Sequence, residues 1–324
     1  MQATGRKIIL VSPRGFCAGV VRAIDVVKLA LEAYGPPIYV RKEIVHNKHV
    51  VDELREAGAV FVEELAEVPE GARVIFSAHG VSPAVRSEAK LRNLSVIDAT
   101  CPLVTKVHLE AVKFARHGHS IVLIGHRDHD EVIGTLGEAP AHSILVETVD
   151  DVAKLQVADP SRVVYLTQTT LSLDETSDII AALKEKYPLV KAPPAQDICY
   201  ATENRQLGVK AVAPQADLLL VVGSRNSSNS RRLVEVCQGV GVPSYLVDDF
   251  GEVKPEWLSD SVRTVAVTAG ASAPEHLVEE LLAALRSQYG FSEMEEITLK
   301  DEDVRFSLPP ELAVSGQRLH TISI

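Results

Sequence analysis

One pattern recurs along this chain and limits what it can fold into. A short β-branched apolar run ends in small or hydroxyl residues, and a helix pattern then begins. Residues 8–11 lead into SPRG, 74–76 into SAHG, and 121–124 into GHRDH. Residues 163–166 lead into TQTT, 218–222 into GSRNSSNS, and 265–267 into TAGASAP. Continuous apolar runs bounded by turn residues suit strands buried on both faces, as in parallel sheets. The intervening helices are well signalled. Residues 18–34 carry an amphipathic pattern that stops at Gly35 before Pro36 and Pro37. Pro102 suits the first turn of a helix running to about His117, capped by Thr100 or Cys101. Asn229 and Ser230 are candidate caps for the helix containing Cys237. The expectation is an α/β protein with mainly parallel sheets, whose ligands bind beyond the carboxyl ends of the strands.

That edge carries Cys17, His79, Cys101, His129, Thr169, Thr170, Ser227, Asn229 and Ser272. Three of the four cysteines, Cys17, Cys101 and Cys199, each stand at the mouth of a helix, far apart in sequence. A helix N-terminus favours the thiolate, so lowered thiol pKa values are expected. Three such thiolates brought together suit an iron–sulfur cluster with one iron lacking a protein ligand. The alternative is three buried free thiols, which are common in cores. Cys237 falls beside Leu233, Val236 and Val240 at helical spacing and reads as core.

The thiols also divide the chain. With 324 residues, a prior of about two domains of ~150 residues, or three smaller ones, applies. The division suggests three similar α/β modules around one centre, over 18–101, 102–197 and 198–290. Residues 1–17 then form a strand packing with the third module, and PPAQ at 193–196 is a linker. The acidic tail over 291–324 is weakly patterned and is expected to wrap the surface. A net charge of −11 argues against a nucleic-acid surface. No apolar stretch reaches the ~18 residues of a membrane span. Four cysteines in a chain of this length point to a reducing cytoplasm rather than a disulfide framework. P-loop, dinucleotide and nucleophile-elbow signatures are absent.

His46, His79 and His129 lie near predicted turns, beside hydroxyl-rich helix starts, and together suggest an anion pocket. His126 and His129, with nearby carboxylates, admit a zinc reading instead. Glu131, in the same strand-end loop, is a candidate acid in either case. Arg14 reads as structural or as charge balance beside Cys17.

The motifs PRGFCAGV, IVHNKHVV, FSAHGVS, DATCPLVTKVH, TQTTLS, DICYAT, GSRNSSNS and TAGASAP, in this order, resemble the 4-hydroxy-3-methylbut-2-enyl diphosphate reductase family. That family carries out the last step of the non-mevalonate isoprenoid pathway. The resemblance runs from about residue 8 to 285 and leaves out the tail. It implies a [4Fe–4S] cluster on Cys17, Cys101 and Cys199, with the fourth iron open to the substrate's hydroxyl oxygen. It implies diphosphate binding by His46, His79 and His129, with Ser227, Ser228, Asn229 and Ser272 as further donors. Glu131 matches the family's proton-delivering residue, and Thr169 the threonine that orients the substrate and the proton relay. The implied reaction is a two-electron, two-proton reductive dehydroxylation giving isopentenyl and dimethylallyl diphosphates and water. A ferredoxin or flavodoxin is the implied electron donor. One departure is visible: the family usually has Pro between this His and Glu, where this chain has Asp130. A hydro-lyase with an open-iron cluster and a non-enzymatic anion-binding protein are the competing classes.

Overall fold

The computed structural model describes residues 5–313. The chain begins with β1 (Arg6–Ser12) and α1 (Ala18–Tyr34). There follow β2 (Ile38–Arg41), α2 (Lys48–Glu56), β3 (Ala59–Val62), β4 (Arg73–Phe76), α3 (Pro83–Leu91) and β5 (Ser95–Asp98). Next come α4 (Pro102–Arg116), β6 (Ser120–Ile124), α5 (Asp130–Glu138), β7 (Ser143–Val146), α6 (Val149–Lys154), β8 (Val163–Thr167) and α7 (Leu173–Lys186). The last part holds α8 (Tyr200–Val212), β9 (Leu218–Val222), α9 (Ser228–Gly239), β10 (Ser244–Val247), β11 (Thr264–Ala269), α10 (Glu275–Tyr289), β12 (Phe291–Thr298) and α11 (Pro310–Ala313).

The strands make three parallel sheets with the orders β10-β9-β11-β1-β12, β3-β2-β4-β5 and β7-β6-β8. All five residues of β9 are buried, as an apolar run in the middle of a parallel sheet requires. Helix α1 shows the logic on the helical side. Val20, Ala23, Ile24, Val27 and Ala30 share its buried stripe, and Gly35, at φ 72, ends it by donating to Leu31 O.

Two local expectations change. Ser227, rather than Asn229 or Ser230, caps α9, its hydroxyl accepting from the Ser230 amide. Asn229 turns away and accepts from the Ala271 amide at 2.8 Å, while Ser230 packs in the close approach of Gly223 and Gly270. Cys237 is fully buried in the core between α8 and α9, though Val240, beyond the helix end, is exposed.

The acidic tail is more than a surface wrap. Its first residues form β12, an edge strand paired in parallel with β1 over its whole length. Glu293, Glu295 and Glu296 give that strand its acidity and its weak pattern, and charge on an edge discourages further pairing. Beyond it the chain crosses to α1, where Arg22 Nε donates to Ser307 O at 2.7 Å and Leu308 and Leu312 join the apolar core. Arg14 ties the same region together through Glu275 at 2.7 Å and Glu296 at 2.8 Å, which makes it structural.

The most demanding contact of the tail is Glu302 on Arg205, whose side chain has no exposure. Arg205 Nη1 donates to Glu302 Oε1 at 3.1 Å and to Ala201 O at 3.0 Å, and Nη2 to Gly15 O at 2.8 Å. Truncating Glu302 leaves a buried cation without its counter-charge, so Glu302→Ala is expected to cost about 3 kcal/mol of stability. Urea unfolding of the two proteins checks this, and a loss below about 1 kcal/mol would show that the two carbonyls suffice.

Candidate active site

One cavity collects side chains from the carboxyl ends of all three sheets. Cys17 enters from the end of β1, His79 and Cys101 from the turns after β4 and β5, and His129 and Glu131 from the start of α5, after β6. Thr169 and Thr170 follow β8, Ser227, Ser228 and Asn229 follow β9, and Ser272 follows β11. Cys199 and His46 complete the set. Every residue that the family resemblance implied as a ligand or catalytic group lines this one space, whereas His126, offered by the zinc reading, does not.

The three thiols stand at helix starts in the strict sense: Cys17, Cys101 and Cys199 are the N-cap residues of α1, α4 and α8. Two of them, Cys17 and Cys101, meet at Gly19. A Cβ built there would lie 2.8 Å from Cys101 Sγ and 3.8 Å from Cys17 Sγ, so only glycine leaves room for the sulfurs. Cys199 Sγ is 3.2 Å from Thr202 Oγ1, and the Ala18 amide donates to the Tyr200 hydroxyl at 3.1 Å. The expected lowering of the thiol pKa does not occur at Cys101 or Cys199. Burial pushes Cys101 up to about 12 and Cys199 up to about 11, and a neighbouring Cys17 thiolate adds to both. Desolvation outweighs the helix dipole here, because both half-buried thiols are packed among protein atoms that displace much of the water a thiolate needs.

At the other end of the cavity the three imidazoles form one cluster. His46 and His79 stack with ring centroids 4.0 Å apart, and His129 meets them edge-on at 5.5 and 5.8 Å. Glu43 Oε2 lies 3.1 Å from His46 Nδ1, and Ser77 Oγ 3.3 Å from His79 Nδ1. His129 caps α5 through Nδ1, which accepts from the Glu131 amide, and its Nε2 is buried without a partner. Burial holds His79 well below the usual imidazole value and takes His129 down to about 3, with His46 nearby adding to each. With Nδ1 accepting, the neutral His129 ring carries its proton on Nε2, a buried hydrogen-bond donor without an acceptor.

Glu131 lies in the first turn of α5 rather than in a loop, and is 2% exposed. The helix start fixes it where a loop would not. Its Oε1 accepts from the Thr169 amide at 2.7 Å and its Oε2 from the Thr169 hydroxyl at 2.9 Å. Burial pushes its carboxyl up to about 7, while these two hydrogen bonds pull it back down. The zinc pair read from HRDH does not form, because His126 Nε2 faces the Arg232 guanidinium at 2.8 Å. The grouping that comes closest to a metal spacing among the described residues is His46, His79 and Asp130, with ligand atoms within 4.8 Å of one another.

Comparison with known proteins places this arrangement. The LytB protein family profile matches residues 8–286. The chain belongs to the LytB family of 4-hydroxy-3-methylbut-2-enyl diphosphate reductases. It is 59% identical over 311 residues to the 4-hydroxy-3-methylbut-2-enyl diphosphate reductase of Streptomyces avermitilis, covering 96% of this chain and 91% of that one. It is 57% identical to the reductase of Mannheimia succiniciproducens, covering 95% and 98%. The structure of the E-1-hydroxy-2-methyl-but-2-enyl-4-diphosphate reductase from Plasmodium falciparum matches with a TM-score of 0.93 at 39% identity, over 96% of this chain and 98% of that one. An iron–sulfur centre goes with membership of the family.

Sequence reasoning passed over several residues that the LytB-type cavity uses. Glu43 and Ser77 fix the two stacked imidazoles, and Gly19 clears the space for sulfur. Thr202 bonds Cys199, and Phe306, from the tail, closes one wall. Gly19 and Ser77 each stand two positions from a residue already singled out. Phe306 carried no such signal, because its place depends on the course of the tail.

Proposed function

We propose that this chain reduces (E)-4-hydroxy-3-methylbut-2-enyl diphosphate to isopentenyl and dimethylallyl diphosphates, with loss of water. The observation that carries this reading is the single cavity holding three convergent thiols, three imidazoles and one buried carboxyl. In the reaction the C–O bond to the allylic hydroxyl breaks, two electrons and two protons enter, and the oxygen leaves as water. The thiols of Cys17, Cys101 and Cys199 are the ligands of a [4Fe–4S] cluster, which Gly19 fits by leaving the sulfurs unobstructed. That cluster, when bound, supplies the electrons one at a time, which no side chain can do.

The protein's own residues do the rest. His46, His79 and His129 hold the diphosphate, for which the free Nε2 of His129 is the plainest support. Ser272, whose hydroxyl donates to His46 O at 2.9 Å, borders the same end, and Ser228 and Asn229 line the same cavity. Ser227 Oγ accepts from both the amide and the hydroxyl of Ser230, which leaves its own proton to donate. Thr169 keeps Glu131 aimed and orients the substrate, and Glu131 delivers the proton that lets water leave instead of hydroxide. The electron donor is a reduced ferredoxin or flavodoxin, and the setting is the cytoplasm. Among the described residues no helix is long and apolar enough to cross a membrane. The three-module division over 18–101, 102–197 and 198–290 is part of the same reading. It is supported by a four-strand sheet within the first span, a three-strand sheet within the second, and a five-strand sheet drawing β1 and β12 in from outside the third.

The test is an anaerobic preparation, assayed with a chemically reduced donor and followed by iron and sulfide counts. Brown protein that consumes two electrons per substrate and forms the two isomeric diphosphates is the expected result. A colourless protein, or conversion that consumes no reductant as in a hydro-lyase, would overturn the assignment.

The histidines give a separate expectation. His46→Ala and His79→Ala should each raise KM about tenfold or more while retaining the iron, since a hydrogen bond to a charged phosphate contributes about 1.5–3 kcal/mol. Loss of iron with unchanged affinity for inorganic diphosphate would make them metal ligands instead.

A further inference from the structure

His108 does not line the cavity, yet it touches the segments that shape its diphosphate end. It sits on α4, the helix that Cys101 caps, and is 3% exposed. Its Nδ1 lies 2.9 Å from Oε1 of Glu138, the last residue of α5. The same oxygen accepts from Arg86 Nη1 on α3 at 2.6 Å. The Cε1–Nε2 edge of the ring faces two glycines. A Cβ at Gly80 would lie 3.1 Å from His108 Cε1, and one at Gly134 would lie 3.2 Å from Cε1 and 3.3 Å from Nε2. Gly80 directly follows His79 and has φ +79, so both its conformation and its lack of a side chain are required there. Gly134 is one turn into α5 from His129 and Glu131.

We propose that His108 is a positioning residue for the diphosphate site, its ring wedged between Gly80 and Gly134 to set where His79 stands against His129. The inference rests on the reading that His79 and His129 hold the diphosphate. The physical case is one of tolerance. The ring is held in orientation by a carboxylate that is itself held by Arg86, and its Cε1–Nε2 edge fills the space that a Cβ would take at both glycines. Close-packed backbone transmits a displacement, because nothing flexible intervenes to absorb it. A shift of about 1 Å in the His79 turn would spoil the geometry of the imidazole cluster, and misplacements of that size are costly in binding sites. Val104 on the same helix and Thr100 before it also approach Gly80, each 3.2 Å from where its Cβ would be, but His108 is the side chain nearest both glycines. His108 Nε2, buried and unpartnered, is spent on neither a hydrogen bond nor the cavity, as befits a spacer.

The test is steady-state kinetics of the reconstituted holoenzyme with reduced donor, alongside iron content. His108→Ala should raise KM about tenfold with iron per chain unchanged. In a His79→Ala background the same substitution should raise KM by less than about twofold, because His108 acts through a residue already removed. A purely structural role would lower Tm in both backgrounds and leave this non-additivity out. Where the alanine protein does not accumulate, His108→Asn serves. It keeps a donor to Glu138 but removes the ring edge between the glycines, and the same KM increase is expected. Wild-type KM in either variant, or a full tenfold effect in the His79→Ala background, would overturn the inference. An unchanged KM in His79→Ala alone would instead strike the diphosphate reading.

Discussion

Cys17→Ser, Cys101→Ser and Cys199→Ser are each expected to lose both iron and turnover, whereas Cys237→Ala is expected to keep both. The four residues are chemically alike, and their places in the fold set them apart. Cys17, Cys101 and Cys199 cap three helices that open on one cavity, with Gly19 leaving the space between sulfurs empty of carbon. Cys237 packs on the inner side of α9 against Leu233 and Val236, away from that cavity. Serine preserves the size of each cap and its helix geometry, but a hard alkoxide is a poor substitute for a soft thiolate on iron. Each of the three helix starts supplies one sulfur, so no neighbour can replace a lost ligand. The measurement is iron and sulfide per chain in anaerobically purified protein, with turnover by reduced donor. Three variants with wild-type iron would end the cluster assignment. A Cys237→Ala protein that lost iron would show that the ligand set had been drawn wrongly.

Cys17 and Cys101, two of the three proposed ligands, were legible from residue type and local pattern because each closes a strand–turn–helix unit, and such units place their turn residues at a parallel sheet's ligand edge, whereas Cys199 opens α8 after a connection from α7. The strands that read clearly, such as β9, are buried on both faces and so are apolar throughout. Those that did not read, β2, β3, β5, β7 and β10, have four residues each and one or more half-exposed positions, too short for periodicity to stand out. β12 was hidden for another reason. An edge strand facing water on most of its surface has the composition of a loop, and only its partner β1 makes it a strand. The thiol pKa values failed differently again. The helix-dipole argument was locally sound, but the extent of burial is a tertiary property that no stretch around a cysteine encodes.

Glu131→Gln is expected to bind substrate and still turn over at least about 100-fold more slowly, the lower end of what a general acid contributes. The carboxamide keeps the shape and can accept from the Thr169 amide as Oε1 does now at 2.7 Å, while the Thr169 hydroxyl turns to accept from the new NH2. What it cannot do is give up a proton. The wild-type carboxyl is suited to that task because burial raises it to about 7, so an appreciable fraction is protonated at neutral pH. The sign follows: a donor must hold its proton, so kcat should fall as pH rises past about 7, and Glu131→Gln should lose that limb of the profile. Iron content and KM should stay near wild type, which separates a proton-transfer defect from a collapsed site. The neighbour Asp130 is the rival, since it offers a carboxyl where the family usually has Pro. Asp130 is half-buried beside His46 and His79, whereas Glu131 is enclosed and held at both oxygens by Thr169. A donor shielded from water delivers its proton to the substrate rather than exchanging it with solvent, which favours Glu131. The decisive pair is therefore Glu131→Gln and Asp130→Asn, compared by single-turnover kinetics with pre-reduced enzyme. Near-normal turnover in the first and a hundredfold loss in the second would hand the role to Asp130.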